Sequence, residues 1–155
     1  NSLAVIEGDI QTDLDAERIT RHGTGAVQIE TGGACHLNAE QVRKALDSLD
    51  LDGVQIIIIE NVGNLVCPSG FDLGEDAKVA VVSLPEGDEK PVKYPNLFMR
   101  AQAVIINKVD LAEVLEYNID RVKEDCGRLN SRAHIFELSA KTGQGMEEWI
   151  DFLCP

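Results

Sequence analysis

Basic residues are scarce in this chain. Its 155 residues hold 14 Lys and Arg against 27 Asp and Glu, a formal net charge of −13. That balance argues against nucleic acid and against anionic lipid as partners, because neutralising phosphates takes clustered Lys and Arg. Long apolar runs are missing too: none approaches the roughly 20 residues that a membrane-spanning helix needs. Residues 1–20 carry Glu7, Asp9, Asp13, Asp15 and Glu17, which reads against a signal peptide. The four cysteines, at 35, 67, 126 and 154, are too scattered for a disulfide framework and include no CxxC pair, so the thiols are expected to be reduced. No internal repeat, low-complexity segment or linker interrupts the chain. Hydrophobic residues make up 44% and charged residues 26%, ordinary for a globular protein, and the length suffices for one domain over 1–155 with a full core.

Apolar, β-branched runs alternate with segments of helical period. Strands are predicted over 3–6, 26–29, 55–59, 79–84, 103–106 and 135–138. Helices are predicted over 13–22, 38–49, 118–130 and 145–153. Asn38 is a good N-cap, and Gln41 stands where it completes a capping box. Met146, Trp149, Ile150 and Leu153 repeat at helical spacing, as a core face does. The alternation predicts an α/β fold with a mostly parallel sheet and helices on both faces.

A nucleotide-binding fold of this kind usually opens with a strand, a GxxxxGK[ST] loop and a helix, whose backbone N–H groups cradle phosphates. These residues contain no such loop. Gly23-Thr24-Gly25, Thr31-Gly32-Gly33 and Gly63 lack the following Lys and Ser/Thr. Either the chain starts after its phosphate loop, as an N-terminally truncated domain, or it binds nucleotide without one.

The most specific signal is Asn107-Lys108-Val109-Asp110, directly after the apolar run 103–106. Ligands of open α/β sheets bind beyond such strand ends. A carboxylate at Asp110 can accept from guanine N1–H and from its exocyclic amine, a donor pair that adenine lacks. The Lys108 stem can lie along the base, and Asn107 can tie the loop to its neighbours. Further on, Phe136-Glu137-Leu138 ends in Ser139-Ala140-Lys141, whose backbone N–H groups could reach the guanine carbonyl. NKxD at one strand end with SAK at the next resembles the guanine-recognition motifs of GTPases.

Other polar residues cluster at strand ends. Glu60, followed by Gly63, resembles the second metal-side motif of phosphate-loop NTPases, with the Gly N–H meeting a γ-phosphate; the plainer reading is a strand-end acid making a cap. Asp9 ends the first strand, where Mg2+ takes one or two carboxylates beside phosphate oxygens. Asp15 reads as a first-turn acid favoured by the helix dipole, and Asp13 fits either role. Cys35-His36 and Cys67-Pro68 lie in Gly- or Pro-containing loops. Thiolate and imidazole suit Zn2+ or Ni2+, although the cysteines can equally be unremarkable. Three ligands leave a four-coordinate ion incomplete, which a two-fold dimer can remedy.

Taken together, the chain resembles the HypB family of hydrogenase nickel-incorporation GTPases. The resemblance runs through Gly8-Asp9-Ile10-Gln11-Thr12-Asp13-Leu14-Asp15-Ala16-Glu17-Arg18, Thr31-Gly32-Gly33-Ala34-Cys35-His36-Leu37 and Ile59-Glu60-Asn61-Val62-Gly63-Asn64-Leu65-Val66-Cys67-Pro68. It continues through Glu86-Gly87-Asp88-Glu89-Lys90-Pro91, Lys93-Tyr94-Pro95, NKVD and SAKTG. The related urease nickel GTPase UreG usually carries Cys-Pro-His, whereas here Cys35-His36 and Cys67-Pro68 are separate. The resemblance implies a cytoplasmic, weak GTPase that dimerises with GTP bound and passes Ni2+ to the large subunit of [NiFe]-hydrogenase with the accessory protein HypA. It implies metal binding by Cys35, His36 and Cys67, guanine selection by Asp110, Mg2+ near Asp9, and Glu60 as the phosphate-sensing acid. A non-hydrolysing metal-binding or dimerisation module is the alternative.

The remaining signals read as structure. Cys126 fits semi-buried packing, Cys154 is incidental, His22 suits a helix C-terminus, and His134 begins a strand. The acidic stretch 86–89 reads as a solvated loop, and 90–100, with Pro91 and Pro95, as a loop that could face a partner.

Overall fold

A computed structural model of the protein describes residues 2–9, 19–21 and 24–154. Most of the helix expected over 13–22, with Asp13, Asp15 and His22, lies outside the described residues. The chain forms two compact units, Asn1–Gly74 and Glu75–Pro155.

The first unit is a three-stranded parallel sheet with strand order β2-β1-β3, built from β1 (Ser2–Asp9), β2 (Gly25–Glu30) and β3 (Val54–Glu60). The central strand carries Ala4, Val5 and Ile6 in succession, and all three are buried. A strand covered on both faces has no polar side, which is why it reads as a continuous apolar run. Helix α1 (Ala39–Ser48) starts at Asn38 with the expected capping box: Gln41 N donates to Asn38 Oδ1 at 2.9 Å, and Asn38 N donates to Gln41 Oε1 at 3.0 Å. Its apolar face meets the sheet in a core of Ile6, Leu37, Val42 and Ala45, with Val27, Ile29, Leu46, Leu49, Ile59 and Leu73 packed around it.

The strand predicted over 55–59 is present, and its unbroken isoleucine run would suit burial on both faces, yet Ile57 is 38% and Ile58 39% exposed. β3 is an edge strand of its sheet, paired with β1 on one side only among the described residues.

The second unit repeats the plan with order β4-β5-β6, all parallel: β4 (Val79–Ser83), β5 (Ala103–Asn107) and β6 (His134–Leu138). Val104 and Ile106 of β5 are fully buried on one face. Ala103 and Ile105 face the other way, where they join Phe136 and Leu138 under Met146, Trp149 and Phe152 of α6 (Met146–Leu153). The Phe136 and Trp149 rings meet edge to face at 5.3 Å. Helix α5 (Ile119–Leu129) starts at Asn118, whose side chain accepts from Arg121 N, and it buries Val122 and Cys126. Cys126 is thus more deeply packed than the semi-buried position expected.

Segment 90–100 departs from the loop expected there. It forms two short helices, α2 (Lys90–Lys93) and α3 (Pro95–Arg100), and α4 (Ala112–Leu115) follows β5. Pro91 and Pro95 sit in first turns, where the missing N–H has no helical partner to lose and the ring presets φ. These prolines begin helices instead of breaking them.

Gly8 in β1 makes room for the packing of the first unit. A Cβ there would lie 2.7 Å from Leu37 Cγ and 2.9 Å from both of its methyl groups. Leu37 is fully buried among close-packed neighbours, so a shift of its side chain disturbs the core. Gly8→Ala is therefore expected to destabilise the protein by about 1–3 kcal/mol, the usual range for overpacking, even though Ala is the better strand residue. Urea unfolding followed by circular dichroism checks this; equal stability would show that Leu37 has room to move.

Candidate functional site

In the second unit, the loops after β5 and β6 lie side by side because their strands pair in register, Asn107 opposite Leu138. Asn107 joins them. Its Oδ1 accepts from Lys108 N at 2.7 Å and from Ala140 N, across in the next loop, at 3.2 Å. Lys108 adopts the left-handed conformation, φ 66° and ψ 37°. That strain costs a non-glycine residue about 1–2 kcal/mol and clusters at functional positions. It starts the 3-10 turn Val109–Leu111, which buries Val109 and leaves Asp110 exposed.

The opposing loop is closed from within. Ser139 is fully buried; its N–H donates to Gln144 O at 2.9 Å, and its carbonyl accepts from Gly143 N at 2.9 Å. Ala140 and Lys141 are left exposed. Gly145, with φ 70°, ends this loop and caps α6; a Cβ there would stand 2.1 Å from the Glu137 carbonyl oxygen, so no other residue fits. Asn107, Lys108 and Ala140 are thus brought together, with Asp110 presented beside them.

In the first unit, the structure links Cys35 to His36 on one side and to Cys67 on the other. A turn sets up Cys35: Ala34 N donates to Thr31 O at 3.2 Å, and the Thr31 hydroxyl donates to Ala34 O at 2.9 Å. Cys35 Sγ lies 3.6 Å from His36 Nδ1. The Cys67 thiol pKa is pushed up, first by its side-chain hydrogen bond with Cys35 and then by burial. The His36 ring stacks on Phe71 with centroids 3.8 Å apart. Among the described residues, no three His, Cys, Asp or Glu side chains converge to enclose a metal ion. The trio is instead linked through Cys35.

The loop after β3 holds this segment with carboxamides. Asn61 Oδ1 accepts from its neighbour Val62 N and from Leu37 N, both at 2.9 Å. Asn64 Nδ2 donates to Cys35 O at 2.6 Å, while its Oδ1 accepts from Cys67 N at 2.8 Å and Val66 N at 3.1 Å. Asn61, Asn64 and Phe71 were not singled out by sequence reasoning, although Asn-x-x-Asn between a strand end and a Cys-Pro is a visible pattern.

Glu60 ends β3 in register with Glu7 of β1, and Asp9 ends β1 in register with Glu30. Glu7 is a buried carboxylate that sequence reasoning passed over. Its signal was an acid directly after the apolar run 3–6, costly to bury without partners. Gly63 is exposed, two residues beyond Asn61.

A profile of the CobW/HypB/UreG nucleotide-binding domain matches residues 1–137. The chain belongs to this family. It is 47% identical over 150 residues to the hydrogenase maturation factor HypB of Escherichia coli K12, an alignment spanning 97% of this chain and 52% of that protein. It is 46% identical over 155 residues to the hydrogenase/urease maturation factor HypB of Helicobacter pylori, spanning 97% of this chain and 64% of that one. This chain therefore covers about half to two thirds of the length of these relatives. Two crystal structures share its fold. HypB from Helicobacter pylori in complex with nickel matches with a TM-score of 0.94 and 46% identity, over 98% of this chain and 73% of that one. HypB from Archaeoglobus fulgidus matches with a TM-score of 0.89 and 43% identity, over 98% and 74%. The expected family and the parallel α/β, phosphate-loop-GTPase-like architecture are both confirmed.

The thiols differ sharply. Burial pushes Cys126 up to about 11 from 9.0, while Cys35 is exposed. The thiolate is the reacting form. At pH 8, alkylation mapped by mass spectrometry should label Cys35 first and leave Cys126 unmodified until the chain unfolds. The unfolded chain loses the Cys126 proton near pH 9 and the folded chain only near pH 11. The stability from burying this thiol is therefore complete below pH 9 and is lost as the pH rises to 11. Rapid native labelling of Cys126 would contradict its burial.

Proposed function

We propose that this chain is the nucleotide-binding and metal-carrying part of a GTP-dependent nickel metallochaperone for [NiFe]-hydrogenase maturation. The observation that carries this reading is the Asn107 carboxamide, which ties the NKVD loop to the SAK loop and leaves Asp110 exposed beside them. Asp110 accepts from the two donors on the guanine edge. Lys108 lies along the base plane, and Ser139, Ala140 and Lys141 close over it. GTP and GDP share this base recognition. Glu60 and Asp9 serve Mg2+, which supplies charge neutralisation on the phosphates when bound. Gly63 offers its N–H to the γ-phosphate.

Ni2+ is the cargo in this reading, held by Cys35, His36 and Cys67; the same soft donors also accept Zn2+. The spacing of one donor pair suits an edge of a zinc-like site: zinc bonds of about 2.3 Å to sulfur and about 2.0 Å to nitrogen across a tetrahedral angle put two ligands about 3.5 Å apart, and Cys35 Sγ and His36 Nδ1 stand at 3.6 Å. A homodimer formed with GTP bound supplies the ligands that three donors leave wanting. Hydrolysis loosens loop 60–68 and releases the metal. The receiving partners are the accessory protein HypA and the hydrogenase large subunit, in the cytoplasm. The nickel complex of the Helicobacter pylori relative supports the cargo assignment. That relative's name also supports a second reading, service to urease.

Calorimetric titration of GDP with Mg2+ into the chain, with Asp110→Asn as the comparison, tests the base assignment. The substitution places an amide donor against guanine donors, so binding should weaken at least about tenfold. Equal affinity in the two proteins, or equal affinity for ADP, would sink it.

A further inference from the structure

We infer that Asn64 is the positioning residue that sets the separation of Cys35 and Cys67, and hence the geometry in which the two thiols meet a metal. This rests on the cargo assignment above and adds to it the residue that shapes the site.

Neither cysteine is held by a strand ladder or a helix of regular length. Cys35 follows a turn, and Cys67 precedes the 3-10 turn Pro68–Gly70, whose Pro68 has no N–H to donate. One side chain bonds to the backbones of both cysteines. The Asn64 amide donates to the Cys35 carbonyl at 2.6 Å, and its oxygen accepts from Cys67 N at 2.8 Å. The bonding pattern also fixes which end is which: two N–H groups face Oδ1, and a carbonyl faces Nδ2. Only a short carboxamide offers a donor and an acceptor across this span. The flanking contacts keep the bridge in register, with Asn61 on Leu37 N and the Phe71 ring on His36. Residues 35–37 are thus gripped one by one from loop 61–71, and Asn64 is the member that touches the backbone of both cysteines.

Asn64→Asp separates the two halves of this role. A carboxylate still accepts from Val66 N and Cys67 N, so the local turn is kept. It has no hydrogen for Cys35 O and sets one oxygen against another. Asn64→Ser, too short to span the loops, is the second variant. Two readouts on the full chain test the inference. The first uses dibromobimane, which fluoresces once both of its arms have alkylated thiols, and requires no metal. Cys35–Cys67 crosslinking, mapped by mass spectrometry, should slow several-fold in both variants while single-arm alkylation of Cys35 is unchanged. The second is Ni2+ titration followed by the thiolate-to-nickel charge-transfer band. Affinity should fall about 10–100-fold, as when groups that orient metal ligands are removed, with an altered band and unchanged circular dichroism. Wild-type crosslinking rates in both variants would overturn the inference. Absence of Ni2+ binding by the parent chain would instead overturn the cargo assignment, with the crosslinking result still deciding the role of Asn64.

Discussion

The parallel pairing of strands is the constraint on which both sites depend. Parallel neighbours run the same way, so their carboxyl ends emerge on one edge and the loops that follow lie side by side. In the first unit, the register of Glu7 with Glu60 and of Asp9 with Glu30 sets acidic residues along that edge. In the second, Asn107 opposite Leu138 brings the NKVD and SAK loops into contact. The apolar cores beneath do no chemistry, but they hold the strands to these registers, since a slip of one residue would turn each buried side chain to the wrong face.

The two units use the same local device. An Asn at or just past a strand end accepts, through one oxygen, from the N–H of the next residue and from an N–H in the neighbouring loop. Asn107 does so with Lys108 and Ala140, and Asn61 with Val62 and Leu37. Loops lack ladder bonds, and their backbone groups need partners. A short carboxamide supplies these without covering the side chains that loops display. Asp110 in one unit and Cys35 in the other remain exposed.

Most of this was legible in the sequence, and the exceptions have physical causes. All six predicted strands and the helices beginning near Asn38, Asn118 and Gly145 are present, because their periodicity and caps are local signals. The NKVD and SAK motifs could be read because they are short, contiguous patterns placed directly after predicted strands. Lys108 adds a strained backbone that no composition reveals. The exposed edge at Ile57 and Ile58 could not be read, because an isoleucine run looks alike in central and edge strands. The helices at Pro91 and Pro95 were hidden by a residue that ends helices in most positions and starts them in one. Asn61, Asn64 and Phe71 act through residues some 24 to 35 positions away in the chain, and such pairings appear only once the fold is formed.

The chain's single tryptophan, Trp149, packs against Phe136 and Phe152 in the core of the second unit. Intrinsic emission therefore reports on the half of the protein that carries the NKVD and SAK loops, whereas far-ultraviolet dichroism averages over both halves. If the units melt together, the two optical signals trace one curve; if they melt separately, the curves diverge. The placement of one indole makes cooperativity between the halves readable without a label.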